Sequence, residues 1–258
     1  MAIVRTDKWI AESHGDPSKV CRHLTQYFPT ASAAEILLHL TMFGMYITAK
    51  QGRALSKKLQ DQNVWEITSN EMDLLRSEWN GPSVPVFIFP ADVDNKELTR
   101  EFNGKAGVAY ADKLFLFISP HNTEIEIGAL LTHEYNHVCR LNSFPKREDE
   151  YTLLDTIILE GLAEMAVEQR FGKASTSSWT SLYSDEQLAR FWKAFVHPNR
   201  HRVKETVIHQ EVLFGSGHYP HMAGYAVGYY LVRNFLKGTD FHAEDVLTLS
   251  STEIARLS

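Results

Sequence analysis

The sequence predicts an α+β fold that is predominantly helical with a small antiparallel sheet, and three observations lead there. Several long stretches carry apolar residues at helical spacing behind capping signals, and two short runs rich in β-branched and aromatic residues sit between prolines and turn residues. The third is size: 258 residues, 44% apolar and 22% charged, amount to about 1.7 typical domain lengths. Such a chain buries about 70–75% of its unfolded surface and needs no disulfide or metal to hold it together. A metal bound here would therefore be suspected of chemistry.

The elements follow in order. Ser32 and Glu35 form a capping box ahead of Ile36, Leu37, Leu38, Leu40, Met42 and Phe43, a run expected in the core. Residues 84–89, VPVFIF, read as a strand near a sheet edge, because Pro85 cannot donate to a ladder. Residues 107–119 read as a hairpin turning near Asp112. Thr123 and Glu126 cap a helix expected over about 124–141, on which Ile127, Leu130, Leu131, Val138 and Leu141 continue the apolar pattern. After a charged turn around Pro145, a second long helix is expected to end near Gly172. Ser175 to Ser184 reads as a loop, Ser184 and Gln187 cap a further helix, and a last one spans about Met222 to Leu236.

Composition excludes several classes of function. With 26 basic against 32 acidic side chains the net charge is −6, so neither nucleic acid nor anionic lipid is an expected partner. Cys21 and Cys139 are too few for a disulfide framework, and Cys139 reads as a small core residue. The opening MAIVRTDKWIAESHGD shows no secretory h-region and no apolar run is long enough to span a bilayer, so a cytoplasmic protein is expected.

The chemistry is concentrated in His133-Glu134-Tyr135-Asn136-His137, an HExxH pattern. On a helix, positions i and i+4 share a face, so two imidazoles can hold one Zn²⁺ while Glu134 stands beside them, placed for water rather than for the metal. Uncharged Leu131, Tyr135, Asn136 and Val138 suit a buried helix. Twenty-two residues separate His137 from Glu160, enough for a turn and a returning helix that brings a third ligand alongside. Gly161 and Ala163 permit close approach of the helices, and Glu164, one turn on, could accept an N–H from a liganding histidine.

HExxH followed by EGLAE resembles the gluzincin metallopeptidases, and HEYNHVCRL, ILEGLAE and GYAVGYYLV together resemble the YjaZ-type predicted zinc-protease family. The resemblance spans roughly residues 105–237. It implies a zincin-like metalloprotease fold with the sheet beside the active-site helix, His133, His137 and Glu160 as ligands of Zn²⁺, Glu134 as the catalytic carboxylate, and a peptide or protein substrate. Residues 1–104 then form an N-terminal, mainly helical portion and 105–258 the catalytic portion, read together as one unit with a cleft.

Peptide hydrolysis also needs a donor for the oxyanion. Tyr225 with Gly228 is similar to the arrangement that carries the transition-state tyrosine in gluzincin aminopeptidases, and His218 and His221 are the other candidates. Gly107-Val108-Ala109 and Tyr110 sit where a zincin edge strand would hold a substrate backbone. His197 and His201 repeat the i,i+4 spacing, but Pro198 disfavours a helical His197 and no acid follows it, so both read as surface residues. Two other functions fit the same ligands: a non-haem Fe(II) oxygenase, which has no use for Glu134, and a non-catalytic metal-binding regulatory protein.

Overall fold

The computed structural model describes residues 3–257. The chain divides into two compact units, one up to Glu134 and one from Tyr135 on. Among the described residues no helix is long and apolar enough to cross a membrane.

The first unit holds strands β1 (Ile3–Val4), β2 (Val86–Pro90), β3 (Ala106–Ala109) and β4 (Leu114–Ile118), and helices α1 (Thr6–Glu12), α2 (Pro17–Arg22), α3 (Ala33–Met42), α4 (Ala49–Asp61), α5 (Val64–Trp79) and α6 (Lys96–Phe102). Its sheet is four-stranded in the order β1-β2-β4-β3, so β3 is an edge strand. The expectation of an antiparallel sheet is corrected: β1, β2 and β4 run parallel, and only β3 is antiparallel, to β4. The expected hairpin is there, with the Tyr110 N–H donating to Lys113 O at 2.8 Å across the turn.

The strand at VPVFIF lies inside the sheet rather than at its edge. Pro85 precedes the ladder, contributing only its carbonyl to Leu114, and β1 covers Val86 and Phe87. The missing N–H therefore costs the sheet nothing. One face of β2 and β4 presents Phe87, Phe89, Phe115 and Phe117, all fully buried, to Ile10, Leu24, Ile36 and Leu40. The capping box of Ser32 and Glu35 is formed as expected. The run behind it is core only in part, however: Ile36 and Leu40 are buried, but Leu38 is 65%, Met42 78% and Phe43 39% exposed. A helix presents one stripe to a single core, and residues on its opposite side stay out regardless of their hydrophobicity.

Helix α7 (Glu124–Ser143) runs across the division of the chain, starting behind the capping box of Thr123 and Glu126. The second unit continues with α8 (Leu153–Phe171), α9 (Asp185–Phe191), α10 (His197–Asn199), α11 (Val207–Phe214), α12 (Ala223–Leu236) and α13 (Ser251–Ile254). The bounds of α7, α8 and α12 agree with the sequence reading to within a few residues, α9 begins behind the expected cap at Ser184, and Gly172 ends α8 at φ +81°. The Ser175–Ser184 loop includes a 3-10 turn, Ser178–Ser181, and another, Lys173–Ser175, leads into it. His197 is helical despite Pro198, at φ −56°, ψ −44°. A π-helical segment, Trp192–Val196, ends there, and Pro198 enters in the first turn of a new segment, where its missing N–H is tolerated.

Helices α8 and α12 make the central contact of this unit through two glycines. A Cβ on Gly161 would lie 2.5 Å from Gly228 O, and one on Gly228 would lie 1.9 Å from Ile157 O. The helix carrying Glu160 thus lies backbone against backbone on the helix carrying Tyr225.

Candidate metal centre

The site grows from two well-anchored helices. On α7, His133 and His137 are one turn apart and lie deep within the helix, away from its fraying ends. On α8, Thr152 and Asp155 form the capping box, and the Asp155 carboxylate also accepts from Lys146 Nζ at 2.8 Å and Ser251 Oγ at 2.7 Å. Burial alone would raise the Asp155 pKa, but these donors and Thr152 hold it below the ordinary carboxylate value.

Ligand atoms of His133, His137 and Glu160 lie within 4.8 Å of one another, and His137 Nε2 is 3.7 Å from Glu160 Oε2. Among the described residues this is the set of three or more such side chains that converges. Tetrahedral zinc at about 2.0–2.1 Å from its ligands would set them about 3.4 Å apart, near the 3.7 Å between His137 and Glu160. Two imidazoles and a carboxylate are a donor set zinc accepts, with a position left over. His137 is buried while His133 and Glu160 are half-buried, so this position has a route to solvent.

Glu134 is 5% exposed and its seat is made by a glycine. A Cβ on Gly107 would lie 2.4 Å from Cγ, Cδ and Oε1 of Glu134, so the absence of a side chain on β3 admits the carboxylate. Because Tyr110 N bonds to Lys113 O, the alternation of an antiparallel ladder makes Val108–Phe115 and Ala106–Phe117 the hydrogen-bonded pairs. The N–H and C=O of Gly107 and Ala109 consequently point away from β4, to the open edge.

Glu164 sits one turn beyond Glu160, and its two oxygens accept from Ser177 N and Ser177 Oγ, both at 2.8 Å. One turn further, Glu168 accepts from the Tyr229 hydroxyl, which in turn accepts from Lys173 Nζ at 2.8 Å. Burial, then Glu168, raises the Tyr229 pKa, and burial lowers that of Lys173. Tyr225 is half-buried, its ring 5.3 Å from Trp179 and 5.6 Å from Phe214. His218 and His221 are exposed and outside the converging set; His218 packs on Tyr219 at 4.0 Å, and the His221 carbonyl accepts from Tyr183 Oη at 2.8 Å. Cys139 is a buried core residue, and burial pushes its thiol up to about 12.

Sequence reasoning did not single out Ser177, or Gly107 as the seat of Glu134. Ser177 lies in a Ser/Thr-rich connector where every residue could be a donor, and only the fold selects one. Gly107 carries a signal, an isolated glycine inside a strand pattern, which marks a close approach without naming its partner.

A protein-family model described as "Predicted Zn-dependent protease (DUF2268)" matches residues 64–256. The chain is 36% identical over 252 residues to "Uncharacterized protein YjaZ" of Bacillus subtilis (strain 168), covering 96% of both chains. It is 22% identical over 167 residues to "Uncharacterized protein YjfC" of the same organism, covering 61% of this chain and 55% of the relative. No solved structure matches the chain.

Proposed function

The chain belongs to the YjaZ-like family of predicted Zn-dependent proteases, and from that premise we propose that it is a zinc-dependent peptidase of the gluzincin type on a zincin-like scaffold. The observation that carries the reading is the convergence of His133, His137 and Glu160 on adjacent turns of α7 and on α8, with Glu134 held next to them.

His133, His137 and Glu160 would hold Zn²⁺, which would supply a Lewis acid able to lower the pKa of water toward about 7. Glu134 would take the proton from the attacking water and pass it to the leaving amine. Burial beside Gly107 fixes the carboxylate in one orientation, which is what a base needs if it is to act without reorganising. The outward amides of Gly107 and Ala109 hold an extended substrate by strand addition, next to Glu134. Tyr225 donates to the developing oxyanion; its half-buried position on the helix that Gly228 presses against α8 supports this role. His218 and His221, exposed at the entry to α12, are substrate contacts in this reading. Glu164, clamped by Ser177, stiffens the helix that carries Glu160 and stands as the outer partner of a ligand.

The buried carboxylate also weighs against the oxygenase reading, since a facial-triad iron centre has no need of an acid in that place. The test is a pair of variants assayed with a peptide library and metal analysis. Glu134→Gln retains zinc and loses hydrolysis, and His137→Ala loses both. Full peptidase activity in zinc-loaded Glu134→Gln would overturn the mechanism.

A further inference from the structure

The apolar surface of α3 has a neighbour that explains it. Leu38, Met42 and Phe43 are 65%, 78% and 39% exposed, an unusual concentration of large apolar side chains on one short helix and its C-cap. The C-terminal turn of α3 lies along the edge strand. His39 Nε2 bonds Tyr110 Oη just past the end of β3, the His39 and Phe43 rings are 5.0 Å apart, and a Cβ on Gly44 would lie 3.8 Å from Ala106 Cβ at the start of β3. Around the helix, Phe43 and His39 face the strand, Met42 comes next, and Leu38 follows on the outer side.

The two faces of β3 differ. Gly107 and Ala109 share a face with Glu134, whereas Ala106, Val108 and Tyr110 pack on the other face with Phe115, Phe117 and α3. A strand added to the edge inherits this alternation, so residues next in sequence to the one facing Glu134 point toward α3.

We propose that the outer flank of α3 formed by Leu38, Met42 and Phe43 is the specificity surface of the site, selecting extended segments with large aliphatic or aromatic side chains at alternate positions. This rests on the reading of β3 as the substrate edge. The occupant is an extended chain rather than a helix or a second globular surface, because the end of α3 meets β3 at Tyr110 and Ala106, and the outward amides of β3 between them are matched by an extended backbone. Such segments are exposed in unfolded or partly unfolded proteins, which makes non-native chains the matching substrate class.

The test separates binding from hydrolysis. Zinc-loaded Glu134→Gln protein is titrated into fluorescein-labelled nine-residue peptides carrying Leu or Phe at every second position, and into the same peptides with Ser there, with affinity read by anisotropy. The apolar peptides bind at least about tenfold more tightly, as burial of one or two large side chains requires. Adding Met42→Asp or Leu38→Asp, both at exposed positions that folding does not need, removes that preference, while Leu74→Asp, at an apolar position on α5 that is 53% exposed, leaves it. Unchanged selectivity in both α3 variants overturns the proposal, as does wild-type dimerisation through this face, seen as sedimentation that Met42→Asp converts to monomer. Selective binding without hydrolysis by wild-type protein sustains the surface and refutes the peptidase reading. Hydrolysis indifferent to the alternate positions does the reverse.

Discussion

Replacing Gly107 by alanine probes the link between the edge strand and the carboxylate of Glu134, the proposed base, with a single methyl group. Its φ is not positive, so alanine meets no backbone penalty. The new Cβ would sit 2.4 Å from three atoms of Glu134, whereas carbon atoms in contact lie about 3.5–4.0 Å apart, so the carboxylate must retreat by about 1 Å. Glu134 has a flexible side chain and can do so at small cost to stability. The removal of a glycine from the unfolded state offsets this by about 0.4–1 kcal/mol. A shift of 1 Å in a catalytic group can cost about 10²-fold in rate, or about 2.7 kcal/mol of transition-state stabilisation. Zinc-loaded Gly107→Ala is therefore expected to melt within about 4 °C of wild type and to keep its zinc, while kcat/KM on a quenched-fluorescence peptide falls about 100-fold. Activity within about threefold of wild type would refute the assignment of Glu134, in this position, as the base.

Three further outcomes are expected. Gly228→Ala places a Cβ 1.9 Å from Ile157 O, a backbone atom that cannot yield without separating α8 from α12. The overpacking cost of about 1–3 kcal/mol exceeds the roughly 1 kcal/mol that alanine gains in a helix, so the melting temperature drops, and an unchanged or higher one contradicts the packing. Asp155, whose folded pKa is depressed, contributes stability above its unfolded value of about 3.9 and loses it as pH falls through the folded value. Urea melts across pH should show wild type ahead of Asp155→Asn at neutral pH, with the gap closing below about pH 4; a gap independent of pH would be inconsistent with the carboxylate's role. Chelation should lower the melting temperature and abolish hydrolysis while the far-ultraviolet circular dichroism spectrum persists, because both units bury apolar cores that contain no ligand residue. Loss of the helical spectrum on chelation would show the metal to be structural.

Local rules carried the sequence reading as far as they reach. The capping boxes at Ser32, Thr123, Thr152 and Ser184 are formed, because each is a bond between a side chain and a backbone only three residues away. Of these, the sequence reading named all but Thr152. The placement of His133, His137 and Glu160 followed from helical periodicity and from a connection short enough to force the second helix back along the first. The misreadings have the opposite origin. Pro85 by itself marks a sheet edge, but strand order is settled by which distant segments pair. The apolar run after Ser32 suits a core by composition, but which stripe of a helix is buried depends on what packs against it.

The sequence by itself determined α3, α7, α8, α9 and α12, most of their caps, and the convergence of His133, His137 and Glu160, since these depend on spacings within one turn or one helical hairpin. Tertiary structure alone decided that Glu134 rests where Gly107 leaves room, that Ser177 closes on Glu164, and that α3 carries bare leucine and methionine past an open strand edge. In each of the first two contacts one partner lies outside any helix, on a strand or in a connector, where helical spacing fixes nothing, and the third is a surface left when every nearer contact has been made. No local propensity encodes such contacts; they arise from how the packed elements fill space.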